Sequence, residues 1–226
     1  YSAAGGSGGS VNLDVGELSG SGKIQARGGA LEQSGAGGRV AVSYNVMGFT
    51  PAQFEVLGGQ GTSAKGGNGT LFLKSKAETY GDLIVDGQSL SSANDKSPIP
   101  AGYTFNNIVL RNSAVVLGDH PLNITGQLRL ENNSTLTHTR GLESGLLINA
   151  SSVFVDPTSR IDVSARGYRG GLQDGAPCEG ETLGGVFAVR QFSGGSYGGL
   201  GGKGSGNPES IAYGSPSEPI YLGSGG

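Results

Sequence analysis

The chain has 226 residues, of which 45 are glycine and only 15% are charged, and its formal net charge is −3. A hydrophobic content of 35% with so little net charge excludes an intrinsically disordered chain, because disorder needs low hydrophobicity together with high net charge. The nine prolines and the lack of a regular three-residue glycine period exclude collagen, and the 15 basic residues are too scattered to form a phosphate-binding patch for nucleic acid.

Short runs of alternating apolar and polar residues, bounded by Gly, Asn, Asp, Ser or Pro, predict β-strands through most of the chain. No segment has the 3.6-residue apolar period of a full helix, although Ser89–Lys96 is compatible with one helical turn before Pro98. The pattern therefore predicts an all-β fold. In chain order the predicted strands are Val11–Val15, Lys23–Ala26, Arg39–Tyr44, Gln53–Leu57, Thr70–Lys74, Asp82–Asp86, Asn107–Arg111, Ala114–Leu117, Leu122–Thr125, Gln127–Leu130, Thr135–His138, Leu146–Asn149, Val153–Val155 and Arg160–Val163.

A repeated pattern joins three segments of the chain. Each has an apolar strand, a polar turn, two apolar positions six residues apart, and a final Arg-Gly. The apolar pairs are Leu18 with Ile24, Leu130 with Leu136, and Val155 with Ile161, and the segments are Val11–Gly28, Leu122–Gly141 and Leu146–Gly167. Their length of about 18 to 22 residues is typical of one coil of a parallel β-helix, in which each coil covers the apolar side chains of the next.

A β-sandwich is the alternative architecture, and it would show hairpin turns between neighbouring strands. The nearest such signals are Asp86-Gly87, which leads into a long polar stretch, and Asn68-Gly69, which follows a glycine-rich loop. Glycine also divides the chain into zones, with 19 glycines in residues 1–75, 7 in 76–166 and 19 in 167–226. We expect β-helix coils with glycine-rich loops over residues 1–166. Residues 167–226 are expected to form a glycine-rich tail that caps the coils or contacts an adjacent copy or module.

Several stretches resemble the glycine-rich repeats of very large secreted or surface-anchored proteins. They read GGSGGSVNLDVGELSGSGKIQARGG, GAGGRVAVSYN, GTLFLKSKAETYGDLIVDG and YGSPSEPIYLGSGG. Such repeats are interpreted as right-handed parallel β-helices of the pectate-lyase-like or haemagglutinin-like kind. The resemblance implies an extracellular or cell-surface module with a structural or adhesive role, either part of a larger repeat protein or a self-associating filament.

Two sets of residues are candidates for glycan attachment or for contact with other molecules. Asn-x-Ser/Thr sequons, which accept N-linked glycans in secreted proteins, begin at Asn68, Asn123, Asn132, Asn133 and Asn149. In the tail, Tyr197, Tyr213 and Tyr221 lie among Gly and Ser, and exposed tyrosines stack on sugars or on neighbouring subunits.

The sequence gives little indication of an active site. We predict no catalytic residue, no cofactor and no metal site, because His120, His138 and Cys178 have no ligand spacing. No apolar run is long enough to span a membrane. The alternative function is that of a carbohydrate-active β-helix, a polysaccharide lyase or a sugar-binding domain. A sugar-acid site would require stacked coils to bring Arg129, Arg160 and Asp162 onto one face. The outward charges available to it are Lys74, Asp82, Asp86, Arg111, Arg129, His138, Arg160, Asp162 and Arg166.

Overall fold

The structure, a computed structural model, describes residues 3–90, 96–173, 175, 177–189, 193–204 and 211–226, and of residues 187–189 only the backbone. Within this part of the chain the regular structure is strand apart from a 3₁₀ turn at Pro51–Gln53, so the all-β prediction is confirmed. The strands are β1 Ser10–Asp14, β2 Glu17–Leu18, β3 Ile24–Gln25, β4 Arg39–Tyr44, β5 Val46–Met47, β6 Phe54–Glu55, β7 Thr70–Ser75, β8 Asp82–Asp86, β9 Lys96–Pro98, β10 Thr104–Phe105, β11 Ile108–Arg111, β12 Val115–Leu117, β13 Leu122–Leu130, β14 Thr135–Thr137, β15 Ile148–Val155, β16 Arg160–Ile161, β17 Gly180–Thr182 and β18 Val186–Val189.

Most strands lie where alternation predicts them, but four predicted strands merge into two. The two short strands predicted between residues 122 and 130 form the single strand β13, whose pairing with β15 shifts register between Ile124 and Gln127. Those predicted around residues 146–155 similarly fall in β15. Of the predicted helical turn Ser89–Lys96, residues 91–95 lie outside the described residues, and Lys96 begins β9.

The chain divides into two compact units. Unit 1 comprises residues 1–137 and 148–162, and unit 2 comprises residues 138–147 and 163–226. Unit 1 contains β1 to β16, and unit 2 contains the antiparallel pair β17 and β18. The division predicted after residue 166 differs from this one mainly because residues 138–147 belong to unit 2.

Parallel pairing dominates unit 1. The main sheet has the order β1, β4, β7, β8, β11, β13, β15, with β10 also beside β13, and each neighbouring pair is parallel except β7 and β8. A second parallel sheet has the order β9, β12, β14, β16. From β8 onward the chain therefore visits the two sheets in turn. It returns beside the previous strand of the main sheet after 25 residues, from Asp82 to Asn107, and after a further 20 residues, from Asn107 to Gln127.

The first part of unit 1 has longer returns than the repeat pattern predicts. The segment from Val11 to Gly28 contains three strands, and the chain does not return beside β1 until β4 begins at Arg39. Strands β2 and β5 pair in parallel, as do β3 and β6. The side chains of Gln25 and Glu55, on neighbouring rows, are 30 residues apart in sequence. The extra length is the glycine-rich chain between β3 and β4 and between β6 and β7.

The first hydrophobic core lies on one face of the main sheet. Val40, Val42 and Leu71 are at most 2% exposed and cluster with Phe54 and Val56. Each buried side chain of this size stabilises the fold by about 1.5–3 kcal/mol. This core holds β1 to β7 together.

The core changes face where β7 meets β8. Ile84 lies opposite Leu71 in the antiparallel pair and still belongs to the first cluster. Successive strand residues point to opposite faces, so Leu83 and Val85 face the other side, beside the fully buried Ile108 and Leu110. Strand β8 is thus buried on both faces, and a second core continues on the new face through β11 and β13.

The glycine-rich segments of unit 1 are packed structure rather than the predicted loops. Residues 5–8, 35–38 and 66–69 each have glycine at both ends of a three-residue step. A Cβ on Gly38 would overlap the carbonyl oxygen of Gly9, and one on Gly69 would overlap that of Gly38. Glycine is needed here because the backbones approach closely, not because φ is positive.

Backbone hydrogen bonds run in two directions through these segments. Gly5 N donates to Gln33 O at 2.7 Å and Gly37 N to Gly67 O at 2.9 Å, which links successive returns of the chain. Across the layer, Gly29 N donates to Gly6 O at 2.8 Å. Backbone groups in this region therefore find partners without a regular sheet ladder, as buried polar groups require.

Unit 2 uses the same kind of contact. Tyr168 N donates to Gly223 O at 2.8 Å, and Gly171 N donates to Gly226 O at 2.6 Å. A Cβ on Gly225 would overlap the carbonyl oxygen of Arg169. The C-terminal glycines are therefore packed against residues 167–171 of the same unit.

Candidate functional site

A polar cleft of about 520 Å³ opens in unit 1 between its first part, β1 to β7, and its second part, β8 to β16. On one side it is bounded by β3 and β6, and on the other by the corners that follow β8 and β11. The cleft lies where the core changes from one face of the main sheet to the other, at β8. The lining residues are Lys23, Ala52, Glu55, Asp86, Gln88, Ser89, Arg111 and Asn112.

Glu55 is the more buried of the two carboxylates, with a side chain only 8% exposed. It accepts hydrogen bonds from Lys23 Nζ at 2.5 Å, Gln25 Nε2 at 2.6 Å and Arg27 Nη1 at 3.3 Å. The bond from Lys23, followed by that from Gln25, lowers the pKa of Glu55 below its ordinary value, and burial opposes this shift. Glu55 is thus an ionised group that joins β6 to β3.

Asp86 has a comparable set of donors on the opposite wall. Arg111 Nε lies 2.7 Å from Asp86 Oδ2, and Asn112 Nδ2 and Gln88 N lie 2.9 Å and 2.8 Å from Oδ1. Asn132 Nδ2 then donates to Asn112 Oδ1 at 3.0 Å, so side chains of successive corners form a ladder. Asp86 therefore connects the corner after β8 to the corners after β11 and β13.

The corners have a shared backbone geometry. Asn112 and Ser113 have φ of 56° and 68°, and Asn132 and Asn133 have 55° and 65°. Asn tolerates this left-handed region better than most residues, which explains its repeated use at these corners. At the next corner Asp156 accepts from Asn132 N at 2.6 Å and from Ser159 N at 2.8 Å, and these bonds hold the pKa of Asp156 well below its usual range.

General acid–base catalysis is most efficient when the pKa of the acting group lies near the working pH. The pKa of Glu55 is lowered, which moves it further from neutral pH. Each carboxylate of the cleft accepts three hydrogen bonds. The free capacity of the cleft lies in its N–H donors, because Arg111 uses only Nε towards Asp86 and the Lys23 side chain is 59% exposed. The arrangement is therefore suited to binding a polar ligand.

A smaller apolar pocket of about 200 Å³ lies elsewhere in unit 1. Phe72 and Phe105 meet edge-on with centroids 6.2 Å apart, and Tyr103 stacks on Phe105 at 6.2 Å while remaining 59% exposed. This gives an exposed aromatic platform beside Leu83.

The five sequons occupy different environments. Asn68 is 5% exposed, and its Oδ1 accepts from Gly58 N at 3.3 Å. The other four asparagines are exposed, and Asn149 Nδ2 donates to Asn123 Oδ1 at 3.0 Å across neighbouring strands. The four exposed sequon asparagines are Asn123, Asn132, Asn133 and Asn149.

The three tyrosines predicted as a contact surface lie in unit 2. Tyr197 and Tyr213 are half-buried and meet edge-on with centroids 5.3 Å apart, and Tyr213 Oη donates to Leu222 O at 2.5 Å. Tyr221 is 43% exposed. The first two pack on one another, and Tyr221 remains accessible.

The charges predicted for a sugar-acid site have local partners. Arg129 lies 2.6 Å from Glu131 and covers the ring of Phe154 at 4.4 Å, while Arg160 lies 3.5 Å from Asp162. The cleft instead uses Asp86 and Arg111 from the set of outward charges. Sequence reasoning missed Lys23 and Glu55, because alternation in Gln53–Leu57 predicts an exposed Glu55, and the available signal was the cationic pair Lys23 and Arg27.

His138 is 3% exposed with Nδ1 2.8 Å from Thr139 O, and His120 and Cys178 are exposed. Over the described residues, no group of three His, Cys, Asp or Glu could hold a metal ion, and no helix is long and apolar enough to cross a membrane. Comparison with protein-family models, with curated proteins and with solved structures gives no match.

Proposed function

We propose that this chain is a structural or adhesive module of an extracellular protein, and that its strands wind as a right-handed parallel β-helix. The supporting observation is the strand order of the two parallel sheets. From β8 to β16 successive returns of the chain add parallel strands to both sheets, so that β8, β11, β13 and β15 follow one another in the main sheet and β9, β12, β14 and β16 in the second. Parallel crossovers in one sheet are right-handed in nearly all known cases, which supports the proposed handedness.

The side-chain ladders support a structural role. Asp86, Asn112 and Asn132 link three successive corners through hydrogen bonds of 2.9 Å and 3.0 Å. A second ladder runs from Asp82 through Asn107 to Gln127, with bonds of 2.8 Å and 2.9 Å. These bonds tie each row to the next and resist separation of the coils. The four exposed sequon asparagines are consistent with an extracellular location.

Single-molecule force spectroscopy tests the structural proposal. In a solenoid each coil contacts only its neighbours, so we expect the β8–β16 region to unfold in steps. A coil of 25 residues would release about 8–9 nm of chain per step at an extended length of ~3.3–3.6 Å per residue. Loss of the ladder in Asn112→Ala should lower the force of the corresponding step, whereas Asn12→Ala, an exposed change on β1, should not. A single rupture of the whole unit at low force would contradict the proposal.

A sugar-binding domain is the second candidate, and the polar cleft favours it. Its lining combines the cations of Lys23 and Arg111 with the amides and hydroxyl of Gln88, Asn112 and Ser89. Isothermal titration with neutral and acidic oligosaccharides tests this function. We expect Lys23→Gln to weaken binding, and Lys76→Gln, which removes an ammonium paired with Asp14 outside the cleft, to leave it unchanged. Equal loss in both variants would count against the cleft.

A further inference from the structure

The last coil of unit 1 leaves the ends of its apolar rows uncovered. Leu128 and Leu130 are fully buried, but their partners on β15, Val153 and Val155, are 50% and 40% exposed. On the second sheet the fully buried Leu136 lies beside Ile161, which is 40% exposed. The second core therefore continues to the molecular surface at β15 and β16.

Strand β15 is also an edge without the usual protection. Among the described strands it pairs only with β13, and its eight residues include no charge and no proline. Natural edge strands are commonly blunted by charged residues, proline or short length. An uncharged edge with apolar side chains on its core face is suited to pairing with another strand.

A matching edge exists at the other end of the same sheet. Within the described residues β1 pairs only with β4. Its alternation puts the half-buried Val11 and Leu13 on the face of the first core and leaves Asn12 exposed on the other. Both ends of the main sheet thus present apolar residues at alternate positions.

We infer that β15 of one copy pairs in parallel with β1 of a second copy, an inference that rests on the proposed structural role. The two cores lie on opposite faces, and β1 runs opposite to β15, since β7 and β8 are antiparallel. In a second copy stacked in the same orientation, Asn12 would therefore lie beside Val153. A half-turn of the second copy about the stacking axis reverses β1 and exchanges its faces. Val11 and Leu13 then lie on the side of Val153 and Val155, and the pairing is parallel.

This geometry repeats contacts that the chain already makes. Neighbouring rows within each part, from β1 to β7 and from β8 to β15, pair in parallel with apolar residues on the same face. The contact joins two different edges, so it is heterologous and leaves a free β1 and a free β15 on every assembly. Copies of the chain then add end to end in an open series rather than closing as a dimer.

Sedimentation velocity of the full chain over a concentration series tests the inference. The wild type is expected to form a series of growing species. Two end-blocking variants, Val153→Lys with Val155→Lys on β15 and Val11→Lys on β1, should each raise the apparent dissociation constant at least about tenfold, which corresponds to about 1.4 kcal/mol. The control Val46→Lys changes a valine that is 56% exposed on β5, and it should assemble like the wild type.

Mixing the two end-blocked variants gives the sharper result. One variant keeps a working β1 and the other a working β15, so their mixture should form a 1:1 dimer and nothing larger. A symmetric contact between two β15 strands instead predicts that Val11→Lys alone still dimerises, and that outcome would overturn the inference. A monomeric wild type, or equal disruption by Val46→Lys, would also overturn it. Stepwise unfolding under force combined with a monomeric wild type would leave the proposed function standing and remove only this contact.

Thermal unfolding of each variant guards against misfolding as the cause. Lysine at the half-exposed Val153 and Val155 can extend its ammonium into solvent, so their unfolding temperatures should stay close to that of the wild type measured at a concentration where it is monomeric. Recovery of a dimer in the mixture is possible only if both variants are folded. The complementation result therefore remains decisive even if one variant is somewhat destabilised.

Discussion

Leu83 and Ile84 are consecutive residues of β8, yet they belong to two cores on opposite faces of the same sheet. Ile84 lies opposite Leu71 of the first core, and Leu83 lies beside Ile108 of the second. Their exposed fractions are 3% and 7%, respectively. Strand β8 is therefore the element through which the two parts of unit 1 share one sheet.

Truncation of either residue should be costly. We expect Leu83→Ala and Ile84→Ala each to lower the free energy of unfolding by about 2–5 kcal/mol, because each leaves a cavity in a core. Urea unfolding followed by circular dichroism measures this. Val46→Ala, at a side chain 56% exposed, should change stability by less than about 0.5 kcal/mol. A near-neutral effect at either Leu83 or Ile84 would show that β8 has only one buried face.

The packed glycine layers predict a sharp difference between two glycines. In Gly38→Ala the new methyl group would overlap the backbone carbonyl of Gly9, and backbone has little freedom to move away. We expect a loss of about 1–3 kcal/mol or more, as for overpacked cores. Gly9→Ala meets no atom within 4 Å, so it should be neutral or stabilise by about 0.4–1 kcal/mol through the unfolded state. Thermal unfolding of the two variants measures the contrast, and equal effects would exclude close backbone packing.

Glu55 should make stability depend on pH. Its pKa is lowered in the folded protein from the ordinary value of 4.5, so the stabilisation is present above that value and is lost as the pH falls through the lower folded pKa. At pH 7 we expect Glu55→Gln to cost about 1.5–3 kcal/mol, the range for hydrogen bonds to charged groups. The difference in the free energy of unfolding between wild type and variant, measured by urea titration, should become smaller below pH 4.5.

Asp14 provides the matched carboxylate for this measurement. Its side chain is 77% exposed and pairs with Lys76 at the surface. Exposed ion pairs contribute about 0–1 kcal/mol, so Asp14→Asn should change stability little at any pH. If the loss of unfolding free energy in Glu55→Gln stays constant from neutral to acid pH, the ionised carboxylate is not the stabilising group.

The sequons should differ in glycan occupancy when the chain is secreted from a eukaryotic cell. Asn149 is exposed, whereas the Asn68 side chain is buried against Gly58, and a glycan there would prevent this packing. We expect intact-protein mass spectrometry of the folded fraction to lose one glycan mass in Asn149→Gln and to show no glycan change in Asn68→Gln. A glycan on Asn68 in folded protein would contradict the environment described for this residue.

Much of the strand pattern could be predicted from alternation alone. The residues of the predicted pairs Leu130 with Leu136 and Val155 with Ile161 do meet in the sheets, because Leu130 pairs with Val155 and Leu136 pairs with Ile161. The cleft could not be predicted in this way. Alternation says which residues share a face of a strand, but the burial of Glu55 depends on Lys23 and Gln25, which lie 32 and 30 residues away in the sequence.

The sequence by itself determined the all-β class and the positions of most strands, since both depend on local periodicity. Only the tertiary structure decided that the glycine-rich segments pack against one another and that the core crosses the sheet at β8. The run Leu83-Ile84-Val85 is apolar throughout, so local alternation gives it no single inner face. Which of these residues faces which core depends on Leu71 and Ile108, neighbours that come together only when the chain has folded.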